Sequence, residues 1–238
     1  MANPFGAAHD RTGFVSDVDG ARVAAFMRGV YWWMFSGLGI TAMVAFAVAS
    51  SPAAVNTLTH TPILFFGVII VQLVLVVFLS ARVAKLAPST AGTLFLAYSA
   101  LMGVTFSIIL LQYTGASVAN AFFITAGMFG SLAVYGSVTK RDLSGMGRFM
   151  FMGLIGLVIA SVVGIFFRSD AMQFVMGVIG VLVFSGLTAY DTQRLRAMAL
   201  QLQGGQSGSY AVVGALSLYL NFINLFLSLL RLFGNRRN

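Results

Sequence analysis

Seven uncharged apolar runs, separated by short polar connections, recur along the chain at residues 29–50, 62–80, 91–111, 117–138, 149–167, 171–190 and 210–230. Each is about 18 to 22 residues long, and at about 1.5 Å per residue a helix of that length matches a hydrocarbon core roughly 30 Å thick. A barrel strand would alternate apolar and polar positions over about ten residues, whereas these runs are apolar on every face. The pattern predicts an all-α membrane protein, a seven-transmembrane-helix bundle. Residues 1–28 read as a polar cytoplasmic tail carrying Asp10, Asp17 and Asp19, residues 29–232 as the transmembrane domain, and residues 233–238 as a short basic tail. The first run lies too far along the chain, and is too long, for a cleaved signal, so it is expected to remain as the first helix.

Composition agrees with the pattern. Apolar residues make up 59% and charged residues only 8% of the 238, too few to coat a soluble domain. The net charge of +8 comes from 14 Lys and Arg against six acids, all of them aspartate. These basic residues stand in twos and threes between apolar runs, which points to membrane topology and away from nucleic acid. Cysteine is absent, and the two histidines, His9 and His60, lie far apart in polar stretches, so disulfides, thiol catalysis and a zinc site all lack ligands.

Because basic loops stay cytoplasmic, their distribution orients the chain. Arg11, Arg22 and Arg28 lie in the tail, Arg82 and Lys85 in the second connection, Lys140, Arg141 and Arg148 in the fourth, and Arg194 and Arg196 in the sixth. The first and third connections have none and the fifth has only Arg168, which places the N-terminus inside. Arg231, Arg236 and Arg237 then fall outside, against the rule, if the seventh run crosses fully; a last segment that dips in and returns would keep them inside. Seven full spans are favoured, since late charges contribute least to orientation.

Pro4, Pro52, Pro62 and Pro88 all lie in tails or at run edges, so no span is broken, and Pro62 suits a first helical turn. That argues modestly against transporters with unwound mid-membrane helices. Small-xxx-small spacings at Ala126/Gly130 and Ala160/Gly164 suggest close helix packing. Tyr31, Trp32 and Trp33 follow Arg28 as an interfacial anchor. Gln203 to Ser209, reading QGGQSGS, is expected to be a flexible linker.

Candidate chemistry is sparse. Gly205–Gly208 reads GxSG and Tyr190–Asp191 resembles the YD of aspartyl membrane proteases, but the serine has no base in a span and the aspartate no second carboxylate. An enzyme is not expected. Asp191 closes the sixth run, and its plainer role is a helix-end charge paired with Arg194 at i+3, worth a few tenths of a kcal/mol. If the helix continues toward Leu202, Asp191 instead lies within the bundle, where an acid costs about 2.5 to 3.5 kcal/mol and is usually functional. Asn221 and Asn224 share a face of the seventh run, Asn221 roughly 16 Å inside it. Such an amide is often plain interhelical glue, worth about 0.6 kcal/mol.

Three segments carry a family resemblance: Thr139-Lys-Arg-Asp-Leu-Ser144, Phe184-Ser-Gly-Leu-Thr-Ala-Tyr-Asp-Thr-Gln193, and the stretch from Ala215 through Leu-Tyr-Leu-Asn-Phe-Ile-Asn to Gly234. With seven runs in register, the chain from about Arg22 resembles the Bax inhibitor-1 family, and most closely its bacterial inner-membrane members. The resemblance implies a bundle whose last helix is central and surrounded by the other six, and a pH-sensitive calcium leak. It also implies an aspartate pair on helices six and seven that shares a proton and governs opening, linked to a basic residue near the cytoplasmic end of helix two. Asp191 matches the first aspartate; Arg82 is the nearest match for the basic residue and Lys85 the alternative. Asn221 stands where the second aspartate is expected.

Two close carboxylates titrate in two widely separated steps, which a carboxylate and an amide cannot do. Any pH gating is therefore expected to be weakened or shifted. Asp191 and Asn221 are the candidate ion-path residues, with Arg194 and Asn224 as secondary candidates. No cofactor is expected, calcium or another cation being the permeating species and the lipid bilayer the surrounding partner. Two other functions fit the same residues: a non-conducting regulator that binds a membrane protease or stress-response partner through its tail, and a proton-coupled antiporter using Asp191.

Overall fold

The computed structural model describes residues 6–166, 169–202 and 207–237, those at 6–17, 165 and 166 by their backbone alone. Eight helices follow in chain order: α1 (Gly6–Ala49), α2 (Pro52–His60), α3 (Pro62–Arg82), α4 (Pro88–Gln112), α5 (Gly115–Val138), α6 (Ser144–Phe166), α7 (Asp170–Gln201) and α8 (Ser207–Phe233). All but α2 are long and apolar enough to cross a membrane, and among the described residues the only β pairing is an isolated bridge between Tyr113 and Arg236. The seven runs are thus seven helices, and this is an all-α membrane protein.

Local chemistry sets the helix starts. Ser51, Thr114 and Ser169 each accept a backbone N–H of the following turn, and Pro52, Pro62 and Pro88 occupy first turns, where a missing N–H costs nothing. The short helix α2 fills the first connection, where nine residues of mixed polarity are too few to span and leave no mark in the apolar pattern.

Several boundaries differ from expectation. α1 begins at Gly6, so much of the stretch assigned to a tail continues the first helix. Its inward positions Phe26, Met27, Val30, Met34, Thr41 and Ala45 recur at helical spacing, so the packed face of α1 begins three residues before the apolar run that the sequence showed. α7 runs 11 residues beyond Tyr190 because Asp191, Thr192, Leu195 and Ala199 form a buried stripe while Arg194 points outward. Of the expected linker, residues 203–206 lie outside the described residues, but Ser207 to Ser209 open α8. Ser209 is buried and donates from its hydroxyl to the Leu86 carbonyl at 2.6 Å. The serine of GxSG is therefore a helix-start residue, and Arg168 also lies outside the described residues.

α8 is the most buried of the seven spans. Its walls are α1, α4, α5 and α7; α6 packs mainly on α7, and α3 mainly on α4, so a ring of all six around the last helix is not what forms. Trp33 turns inward, edge-on to Phe95, while Trp32 is 72% exposed toward the lipid side. The glycines at the tight crossings are not those of the expected small-xxx-small pairs: a Cβ at Gly130 would meet nothing, but one at Gly136 of α5 would strike the backbone carbonyl of Ala189 on α7.

The two ends of the bundle are distinct. At one, Arg22 donates to the Leu202 carbonyl ending α7, and the α3–α4 turn meets the start of α8. At the other, residues after α8 bond back to the α4–α5 connection, through Thr114 N–H to Asn235 O at 3.0 Å and Arg237 N–H to Gln112 O at 2.9 Å. The last helix thus crosses fully, and Arg231, Arg236 and Arg237 sit at the end opposite the other basic connections.

Candidate functional site between the last two helices

Asp191 lies in the interior of α7 with ten residues of helix still to follow, and it is 9% exposed. Asn221 of α8, 5% exposed, donates from Nδ2 to Asp191 Oδ2 at 2.8 Å. The other carboxylate oxygen, Oδ1, lies 3.7 Å from the Arg194 guanidinium, whose side chain is half exposed. Burial strips water from the carboxylate and disfavours its charge, while the amide donor and the guanidinium favour it.

The helix around Asp191 is lined with polar groups that satisfy themselves locally. Thr188 and Thr192, both fully buried, donate their hydroxyls to the carbonyls four residues earlier, at 2.7 and 2.8 Å. Such back-bonding removes the hydroxyls as partners for Asp191 and tends to bend a helix. Two residues on, Gln193 reaches the α5–α6 connection: its Oε1 accepts the Leu143 N–H at 2.9 Å and its Nε2 donates to the Arg141 carbonyl at 2.8 Å. Asp142 in that connection accepts the Ser144 N–H at 2.9 Å, and its bonds to the Ser144 side chain and backbone hold its carboxyl below the usual range.

The structure therefore joins Asp191, Asn221 and Arg194. It does not bring Arg82 or Lys85 to them: both are exposed around the α3–α4 turn, and among the described residues neither forms an ion pair. Asn224 turns its amide onto the Leu220 carbonyl at 2.8 Å and does not join the pair. Sequence reading missed Gln193, although it ends one of the motifs and the loop it holds is another; nothing in one chain marks two motifs as hydrogen-bonded. It also missed Thr41 and Tyr219, whose hydroxyls meet at 2.6 Å between α1 and α8, with Thr41 donating to the Ser99 carbonyl.

One carboxylate and one amide fall well short of the six to eight oxygens that calcium takes at a resident site. The arrangement is a buried carboxylate held in place by a neutral donor on the neighbouring helix. It defines a seven-span helical membrane protein with a carboxylate–amide pair buried between its last two helices.

Comparison with known proteins places that class in a family. Residues 23–238 match the family described as Inhibitor of apoptosis-promoting Bax1. The chain is 49% identical over 220 residues to the Inner membrane protein YbhL of Escherichia coli, an alignment covering 91% of this chain and 94% of that protein. Over 229 residues it is 44% identical to a protein of Caulobacter vibrioides, covering 91% of each. An uncharacterized membrane protein of Streptococcus pyogenes is 39% identical over 211 residues, covering 88% of this chain and 92% of its own length. The chain belongs to the Bax inhibitor-1 family.

Proposed function

We propose that this chain is a non-catalytic protein of the bacterial inner membrane that lets cations, calcium foremost, leak down their gradient, with Asp191 on the path. The observation that carries this is the Asp191–Asn221 hydrogen bond between α7 and α8. A carboxylate inside a span costs about 2.5 to 3.5 kcal/mol, and such residues mark functional sites, ion and proton paths among them. The inner-membrane assignment draws on the name of the Escherichia coli relative.

With an amide in place of a second carboxylate, the pair has no proton to share, so the leak is only weakly dependent on pH. Calcium flux into proteoliposomes of the purified protein, followed from about pH 6 to about pH 8, tests this beside Asn221→Asp. Flux that is nearly flat here and pH-dependent in the variant supports the proposal. Flux no greater than in empty liposomes for both proteins overturns it and favours a regulator that works by binding a membrane protein. Flux that appears only against an opposing proton gradient favours an antiporter.

The N-terminal end faces the cytoplasm in this proposal, because the basic connections gather there. Since the chain has no cysteine, single cysteines at Lys140 and Arg237 report it directly. In intact spheroplasts a membrane-impermeant thiol reagent labels the second and not the first; the reverse result inverts the topology.

A further inference from the structure

At the end of the bundle farthest from Asp191, a cleft of about 770 Å³, open to the surface, lies between the ends of α4, α6 and α8 and the start of α7. Its volume lies within the range of small-molecule sites. Arg231 from the last turn of α8 and Arg236 and Arg237 from the segment after it line the cleft, against one carboxylate, Asp170, among the described lining residues. Gln112 and Gln173 add neutral polar groups.

The cleft is built, not merely adjacent to a loose tail. Arg236 pairs with Tyr113 in a backbone bridge, Arg237 N–H bonds to the Gln112 carbonyl, and Asn235 N–H bonds to the Ser117 hydroxyl at 2.9 Å. The Arg236 guanidinium reaches Gln173 Oε1 at 3.5 Å, across the mouth toward α7. The first turn of α7 opens onto the same space, with the partial positive charge of a helix N-terminus added to the arginines.

These three arginines, like Arg168, run against the topological pattern of the chain. Basic residues at this end gain nothing from orientation, and by lining one cleft they give it an excess of positive charge. We propose that this cleft binds a phosphate group, whether of a phospholipid headgroup at the membrane surface or of free phosphate. The planar guanidinium donates two parallel hydrogen bonds to phosphate, so three arginines from one short segment and one helix end match its oxygens and its charge better than those of a single carboxylate.

The test uses the full chain in a maltoside detergent, which carries no phosphate, and reads binding by thermal unfolding. Inorganic phosphate is titrated in one arm and phosphatidylglycerol in the other, with diacylglycerol as the lipid lacking a headgroup. Saturable stabilisation is expected in at least one arm and none with diacylglycerol; the arm that saturates at lower concentration identifies the source. Arg236→Gln and Arg231→Gln weaken that binding on the order of tenfold each, as for loss of a charge-assisted hydrogen bond, whereas Arg148→Gln at the other end leaves it unchanged. Because the pairing of residue 236 with Tyr113 is made by backbone, the variants keep the tail in place, and their ligand-free unfolding temperatures check it. No saturable stabilisation by either ligand, or binding by both variants as tight as the unmodified chain's, overturns the proposal. Neither readout involves calcium flux, so this site and the leak stand or fall separately.

Discussion

Asn221 Nδ2 sits 2.8 Å from Asp191 Oδ2, so the single acid buried between α7 and α8 is held by a neutral donor on the neighbouring helix. The partner that remains if this amide is lost is Arg194, longer at 3.7 Å and half in solvent. Asn221→Ala leaves a buried carboxylate oxygen without its donor and is expected to lower stability by about 1–3 kcal/mol. In an Asp191→Leu background the same change costs markedly less, because the interaction is already gone. Thermal unfolding of the four proteins in detergent measures the difference, and equal costs in both backgrounds would show that the pair contributes nothing.

Gln193 ties α7 to the α5–α6 connection by two hydrogen bonds. Gln193→Ala frees both, and each such bond is worth about 1 kcal/mol, or about fivefold in the population of the opened loop. Trypsin cleavage after Lys140 or Arg141 should therefore quicken by more than about fivefold while cleavage elsewhere does not. Unchanged cleavage at those two sites would mean that the connection is held by something else.

Gly136 faces the Ala189 carbonyl two residues before Asp191. A backbone atom cannot swing aside as a side chain can, so Gly136→Ala must push α5 and α7 apart and should cost about 1–3 kcal/mol. Gly130→Ala, whose added methyl meets nothing, should be neutral or stabilising by up to about 1 kcal/mol. Their unfolding temperatures should move in opposite directions or differ clearly; a Gly136→Ala protein as stable as the parent would disprove the close crossing.

Asp142 lies outside the spans, and its bonds to the Ser144 side chain and backbone depress its ionisation below that of a free carboxyl. A group depressed on folding stabilises the native state at any pH above its unfolded value, and loses that contribution as the pH falls through the folded one. Acid unfolding should thus include a component that Asp142→Asn removes, leaving a shallower decline of unfolding temperature on the acid side and no change in the pH dependence near neutrality. An identical acid limb in parent and variant would contradict it.

What could be read in the chain follows how each feature is encoded. Seven spans were legible because burial in lipid demands an unbroken apolar run of fixed length, a local property that each segment carries alone. Asp191 stood out for a related reason: it is the one acid closing such a run, harmless at an exposed helix end and costly only if the helix carries it into the bundle. The helical continuation past Tyr190 was less visible, since Asp191, Thr192, Leu195 and Ala199 form a buried stripe only if something packs against it. The small-xxx-small pairs misled because spacing says that two small residues share a face, not which face. At Gly130 that face is open, whereas isolated Gly136 meets Ala189.

The amino-acid sequence by itself determined the class, the number of crossings, the grouping of basic connections and the family, all properties of runs and motifs within single segments. Only the tertiary structure decided that Asp191 bonds Asn221 and not Arg82 or Lys85, that Gln193 grips the neighbouring motif, and that three arginines gather around one cleft. Those are distances between residues far apart in the chain, set by the rotation and offset of packed helices, and no local pattern carries them.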